Sequence, residues 1–134
     1  SPALEPVKAL IEKADGLVIA TPIYKAAYTG LLKAFLDLLP QKALLGKVIL
    51  PIATGGTIAH LLAIDYALKP VLSELGARQL LGGVYAVDKQ LQRLEDGSVQ
   101  PDEEIEQRLK HSLSDFVAAV KSNQLASKEL AQVN

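Results

Sequence analysis

The chain has 134 residues, of which 49% are apolar and 22% charged, enough for one globular domain, 1–134, with a hydrophobic core. Fourteen basic and fifteen acidic residues leave a net charge of −1, which does not favour binding to nucleic acid or an anionic membrane. The absence of cysteine excludes disulfides and thiolate nucleophiles, and with only His60 and His111 present a metal site is not expected. No apolar run is long enough for a membrane span, so we expect a cytoplasmic protein.

The first part of the sequence alternates between helical and strand patterns. Residues 1–14 predict a helix with Ser1 as its N-cap, and the short apolar run 17–20 predicts a strand buried on both faces. A second helix is expected over 30–39, ended by Pro40. The run 47–53 predicts another strand, placed near a strand end or sheet edge by its proline.

The pattern continues with a third helix over 58–75 and a strand over 79–87. A polar stretch over 88–102 follows, with a turn at 95–98. The order α-β-α-β-α-β indicates a parallel sheet with helices on both sides.

A final helix is predicted at the C-terminus. Asp102 is its expected N-cap, and residues 123–134 are expected to fray. Its apolar stripe, which should pack on the sheet, consists of Ile105, Leu109, Leu113, Phe116, Val117 and Val120.

Two strand-to-helix connections should lie at the carboxyl ends of the strands, where open α/β sheets bind ligands. The first, 21–30, is long for such a connection and contains Tyr24 and Tyr28. Its length and its two aromatic rings indicate that it forms one wall of a ligand-binding site. The second, 54–57, reads TGGT and offers backbone N–H groups without Cβ atoms nearby, leading into a helix N-terminus. Because their strands are consecutive and parallel, we expect the two connections to be neighbours.

Simpler interpretations apply to each feature taken alone. A Gly-Gly pair after a strand is more often a tight turn, and His60 is more often a solvated helix residue. Thr21-Pro22 stands where a phosphoacceptor receiver domain needs aspartate, and the sequence contains no P-loop, GxGxxG or nucleophile elbow.

Two long motifs carry a resemblance to a known family. The runs ATPIYKAAYTGLLKAFLDLLP (20–40) and LPIATGGTIAHLLAIDYALKPVL (50–72) resemble the NADPH-dependent FMN reductases. The Tyr24-Lys25 pair is similar to the alkanesulfonate-associated branch, whereas Ile23, Lys25 and Thr29 depart from the broader family pattern.

The resemblance implies a flavodoxin-like, doubly wound parallel sheet of which this chain supplies strands three to five. The family's serine-rich phosphate cradle has no counterpart in the sequence, so we expect an N-terminal β-α-β portion to precede it. The resemblance also implies a cofactor-binding set that lines the flavin ring. Its members are Thr21, Pro22, Ile23, Tyr24, Lys25, Thr54, Gly55 and Gly56.

By the same resemblance, the activity is hydride transfer from NADPH, with NADH as the alternative donor, to FMN without a catalytic acid or base. The reduced flavin would go to an FMNH2-dependent monooxygenase of sulfonate-sulfur assimilation. Two alternatives stay open: a quinone, azo-dye or chromate reductase that retains FMN, and a flavodoxin-like electron carrier without enzymatic activity.

Oligomerisation is the last expectation. A regular α-helix cannot continue through Pro70, because the proline ring would collide with the carbonyl of Tyr66. Either a proline kink or a π-bulge follows, and the resemblance implies a bulge at a subunit interface of a homodimer or homotetramer. The apolar residues of 31–39 occupy more of that helix than one core needs, which also favours a homo-oligomer.

Overall fold

A computed structural model describes residues 2–133. Its centre is a five-stranded sheet in which β3 lies between β1 on one side and β4 and β5 on the other. These four strands are parallel, and β2 is antiparallel to β1. The predicted parallel α/β architecture is therefore confirmed. The strands are β1 (Gly16–Tyr24), β2 (Ala27–Tyr28), β3 (Val48–Gly55), β4 (Gln79–Leu80) and β5 (Val84–Val87).

β3 is the central strand and is buried on both faces. Ile49 belongs to a core cluster formed with the helices, and its neighbours Val48 and Leu50 point to the opposite face of the sheet. That cluster also contains Leu36, Leu39, Leu44, Leu68, Leu72, Leu75 and Ala77.

The placement of Pro51 corrects one expectation. Rather than lying near a strand end or an edge, it sits in the middle of β3, opposite Ile19 of β1. On its other side the predicted strand 79–87 is interrupted between β4 and β5. Proline has no N–H for the ladder, and the break at residues 81–83 lies beside it.

The helices begin and end differently from the prediction. The first, α1 (Glu5–Lys13), follows a 3-10 turn at Pro2–Leu4, and Ser1 lies outside the described residues. The second, α2 (Gly30–Leu36), has the expected Thr29 cap, whose Oγ1 accepts from the Leu32 N–H at 3.1 Å. It ends before residue 39, because the chain tightens into three-residue turns ahead of Pro40.

The segment predicted as one helix over 58–75 has three parts. A 3-10 turn at Ile58–His60 is followed by a π-helix at Ile64–Leu68 and by α3 (Lys69–Glu74). The Lys69 N–H donates to the Ile64 carbonyl, five residues back. Of the two arrangements open to the sequence, the backbone therefore takes the π turn.

The first connection is also different, because β1 continues to Tyr24 instead of ending at Ala20. Lys25 and Ala26 then form a two-residue turn into β2, with φ angles of 53° and 67°. Both angles lie in the left-handed region, which costs a residue with a Cβ roughly 1–2 kcal/mol. The connection is therefore a tight hairpin with two strained positions, and not an open loop.

The C-terminal part contains a hairpin and one long helix. The polar stretch forms β6 (Leu91–Arg93) and β7 (Val99–Pro101) around the predicted turn. α4 (Glu103–Val133) starts at Asp102, whose Oδ1 accepts from the Ile105 N–H at 2.9 Å. The predicted fraying is wrong for 123–133, which are helical.

Only part of the stripe of α4 faces the sheet. Ile105 is buried, and Phe116 and Val120 lie over Gly16 at the start of β1, whereas Leu113 and Val117 are exposed. No helix within residues 2–133 has the length and apolar character needed to cross a bilayer.

Replacing Gly16 with alanine should destabilise the fold. The added Cβ would lie 2.6 Å from Cζ of Phe116 and 2.7 Å from Cγ2 of Val120, so these side chains or α4 itself must shift. Overpacking of this kind costs about 1–3 kcal/mol, measured by thermal or urea unfolding. Gly82→Ala is the matched control, because a Cβ there meets no heavy atom within 4 Å. Equal stability of the two variants would show that α4 does not pack on Gly16.

Replacing Ala26 with glycine should stabilise the protein by about 0.5–1 kcal/mol, because glycine adopts a positive φ without steric cost. Ala27→Gly, one residue later in β2, is the control and should destabilise. A loss of stability in Ala26→Gly similar to that in Ala27→Gly would contradict the strained turn.

Candidate functional site

The parallel register brings the two predicted segments together. Thr21 is paired with Ala53 and Pro22 with Thr54, so β1 and β3 end at the same edge of the sheet. A Cβ placed on Gly55 would be 3.5 Å from Cβ of Ile23. The expectation that the segments are neighbours is confirmed.

Thr21 is buried and ties the end of β1 to the start of α2. Its hydroxyl donates to the Pro22 carbonyl at 2.8 Å and accepts from the Thr29 N–H at 3.3 Å. Because both partners belong to the protein, the Thr21 side chain shapes the site rather than offering a free polar group to a ligand.

The end of β1 and the first turns of α2 enclose a cleft of about 570 Å³. From the predicted set, Thr21, Pro22 and Tyr24 line it, and Tyr24 is 65% exposed. The remaining walls come from Ala20, Thr29, Gly30, Leu31, Leu32 and Phe35. A mainly apolar cleft with an exposed aromatic ring suits a flat aromatic ligand.

Ile23 and Lys25 are placed differently. Ile23 is not part of the cleft lining but packs against a small buried cluster of Ala53, Ile64, Tyr85 and Val87. Lys25 is exposed in the strained turn beyond β1. The predicted residues 21–25 therefore divide among the cleft, the buried cluster and the turn.

In the second segment, Thr54 and Gly55 are the last residues of β3, and Gly56 follows it as an exposed residue. The next element is the three-residue 3-10 turn capped by Thr57, whose Oγ1 accepts from the Ala59 N–H at 3.1 Å. The expectation of an α-helix N-terminus at this point is therefore wrong.

The two glycines of this segment are not equivalent. A Cβ on Gly55 would collide with the hydroxyl of Tyr85 and lie 3.1 Å from its Cζ. A Cβ on Gly56 would meet only Oδ2 of Asp88, at 3.8 Å. The space beside Gly55 is thus filled by the protein, and only Gly56 leaves room for a ligand to approach the backbone.

Tyr85 adjoins the candidate site and is not among the residues predicted from the sequence. It is 8% exposed, and its hydroxyl donates to the Thr57 carbonyl at 2.6 Å. Burial, followed by the nearby Asp88 carboxylate, raises the pKa of the Tyr85 phenol, which keeps the hydroxyl protonated as a donor. The sequence feature that indicates this role is a tyrosine inside an otherwise apolar strand, because a buried hydroxyl needs a hydrogen-bond partner.

The arrangement offers backbone groups, an aromatic ring and open space, and the segments from β1 and β3 contain no His, Asp or Glu. Among residues 2–133, no group of three or more His, Cys, Asp or Glu side chains is placed to hold a metal ion. Such a site can bind and orient a ligand that brings its own reactive atoms.

Comparisons with known proteins find relatives that belong to one family. The sequence model of a family described as NADPH-dependent FMN reductase matches residues 1–92. An FMN reductase (NADPH) from Escherichia coli K12 is 64% identical over 91 residues, covering 68% of this chain and 48% of that protein. An FMN reductase (NADPH) from Pseudomonas putida KT2440 is 50% identical over 121 residues, covering 90% and 61%.

Among solved structures, an NADH:FMN oxidoreductase in its apo form superposes with a TM-score of 0.76 at 44% identity, covering 87% of this chain and 59% of that one. The predicted flavodoxin-like fold is confirmed. The chain spans between about half and three fifths of the length of these relatives. On its sequence and its fold, the chain belongs to the NADPH-dependent FMN reductase family.

Proposed function

We propose that the complete protein is an NAD(P)H-dependent FMN reductase. The observation that carries the proposal is the pairing of Pro22 with Thr54, which places the aromatic cleft and the open backbone at Gly56 at one edge of the sheet. The names of the relatives include both NADPH- and NADH-dependent reductases, so either nucleotide is a candidate hydride donor.

The described residues fit the flavin ring. Tyr24 and Pro22 offer an apolar wall, and Gly56 lets the ring approach backbone polar groups without a side chain in between. The phosphate needs a further cradle, which we assign to a β-α-β portion outside these residues. In support, the outer edge of β1 from Gly16 to Pro22 is paired with no strand among residues 2–133.

When bound, FMN supplies the ring nitrogen that accepts the hydride from the nicotinamide. The protein's part is to bind the ring against Pro22 and Tyr24, to keep Gly56 accessible and to exclude water from the stacked surfaces. The segments from β1 and β3 need no proton donor for this role, which accords with their lack of an acid or base.

We further propose that the reduced flavin is released to an FMNH2-dependent monooxygenase of sulfonate-sulfur assimilation in the cytoplasm. The Tyr24-Lys25 pair of the alkanesulfonate-associated branch supports this assignment. The cleft is open at its outer side, where Leu31 is 83% exposed, and this is compatible with flavin exchange.

Steady-state kinetics test the assignment. A sequential pattern with FMN as a true substrate is expected for a reductase that releases flavin. A ping-pong pattern with yellow, retained flavin would instead support the quinone, azo-dye or chromate reductase alternative. A protein that oxidises neither NADPH nor NADH in the presence of FMN would support the electron carrier.

Replacing Gly56 with leucine should weaken FMN binding about tenfold or more, because the side chain would occupy the space left for the ring. FMN affinity can be measured by quenching of flavin fluorescence. Gly82→Leu is the control for adding the same side chain at an open position away from the site. A folded Gly56→Leu protein with unchanged FMN affinity would contradict the site.

We also propose that the π-helix lies in a subunit interface of a homodimer or homotetramer. It projects Tyr66 outward, 78% exposed, and the preceding Leu61 and Leu62 are 47% and 52% exposed. Pro70 allows either a kink or a π turn, since its ring would collide with the Tyr66 carbonyl in a regular helix, and the backbone takes the π turn. An apolar and aromatic surface of this kind is typical of subunit contacts.

Deleting Tyr66 should remove the extra residue of the π turn, leave only the kink at Pro70 and change the oligomeric state. Sedimentation should then show a smaller assembly, and the purified protein should retain FMN. Tyr66→Ala removes the aromatic ring but keeps the chain length, and it is therefore the matched control for the deletion. A deletion protein that still releases flavin and sediments unchanged would contradict this role.

A further inference from the structure

Three parts of the structure meet at the side chain of Tyr85. Its backbone is held in β5 by the pairing of Tyr85 with Ala53 of β3. Its ring belongs to the buried cluster against which Ile23 of β1 packs. Its hydroxyl reaches the Thr57 carbonyl at 2.6 Å, beyond the end of β3. One buried side chain thus binds the second segment directly and belongs to the cluster on which Ile23 of the first segment packs.

The backbone around Gly56 is held on either side. Before it, Gly55 is paired with Val87 of β5 and lies against the Tyr85 ring. After it, the Thr57 carbonyl is bound by Tyr85 and the Thr57 hydroxyl caps the 3-10 turn. Without the Tyr85 bond, the Thr57 carbonyl would lose the side-chain donor that fixes its direction.

We infer that Tyr85 is a positioning residue: its hydroxyl fixes the backbone of Gly56 and Thr57 in the shape that receives the flavin, and Gly55 is glycine to make room for it. This inference rests on the proposed function. It assigns the two consecutive glycines different tasks, Gly55 to the packing of Tyr85 and Gly56 to the ligand.

The geometry supports this division. A Cβ on Gly55 would collide with the Tyr85 hydroxyl and lie 3.1 Å from Cζ of the same ring. The nearest atom to a Cβ on Gly56 is 3.8 Å away. The Tyr85 side chain cannot retreat easily, because it is packed among Ala53, Ile64 and Val87. A methyl group at Gly55 must therefore displace either the ring or the loop.

A double-mutant cycle in the complete protein tests the inference. Tyr85→Phe removes only the hydroxyl, and we expect FMN affinity to fall about fivefold, the factor typical of one lost hydrogen bond. Because the loop is misplaced rather than the chemistry impaired, KM for FMN should rise while kcat at saturating FMN stays unchanged. A purely structural residue would lower the melting temperature without this split.

Gly55→Ala should weaken FMN binding about tenfold in the unaltered background and only about twofold beside Tyr85→Phe, because the colliding oxygen is then absent. Gly82→Ala is the control for adding a methyl group to an open glycine. Equal factors in both backgrounds would overturn the inference, since Gly55 would then serve the ligand directly. If Gly55→Ala does not fold, Tyr85→Phe with unchanged FMN affinity would overturn it as well.

Failure of the inference and failure of the proposed function give different results. If the unaltered protein shows no FMN-dependent oxidation of NADPH or NADH, the proposed function is wrong, and the role of Tyr85 falls with it. If the unaltered protein is active but Tyr85→Phe leaves the affinity and KM for FMN unchanged, only the role of Tyr85 is wrong.

Discussion

The parallel pairing of β1 with β3 is the constraint on which the rest of the structure depends. It runs from the Gly16–Val48 pair to the Pro22–Thr54 pair without interruption. Because parallel strands need crossover connections, this pairing requires the segment between them to pass over one face of the sheet, where α2 contributes Leu36 to the core. The same pairing makes the two site segments end side by side.

Missing Cβ atoms are used for two purposes in this chain. At Gly16 the free space admits α4, and at Gly55 it admits the Tyr85 hydroxyl. At Gly56 the space stays open at the sheet edge. Glycine therefore allows close packing at Gly16 and Gly55, and it leaves the backbone accessible at Gly56. The residue type alone does not distinguish these roles.

The π-helix shows how a local conflict shapes a surface. Pro70 excludes a regular backbone, and the extra residue of the π turn leaves Tyr66 outside the core. Asp65 and Lys69 form an ion pair at 2.9 Å across this turn, with the carboxylate exposed and the lysine half-buried. The turn is held mainly by its buried residues Ile64 and Leu68, which belong to two different core clusters.

The sequence alone determined the features that depend on nearby residues. Apolar runs gave the parallel strands, and the caps at Thr29 and Asp102 were legible because a side chain reaches a backbone N–H three residues on. Pro70 restricted its helix to two alternatives for the same reason. Resemblance to a family, carried by two uninterrupted motifs, predicted both segments of the candidate site.

Tertiary structure decided what depends on distant residues. Neither Lys25 nor Ala26 favours a positive φ, so the hairpin exists because the pairing of Tyr24 with Ala27 requires it. Two features depend on neighbours that are remote in sequence. Beside Pro51 stands Gly83, where a Cβ would lie 2.8 Å from the Pro51 carbonyl oxygen, and the task of Gly55 depends on Tyr85. Periodicity describes which residues share a face, but not which side chain fills a given space, and that is settled only when the strands are paired.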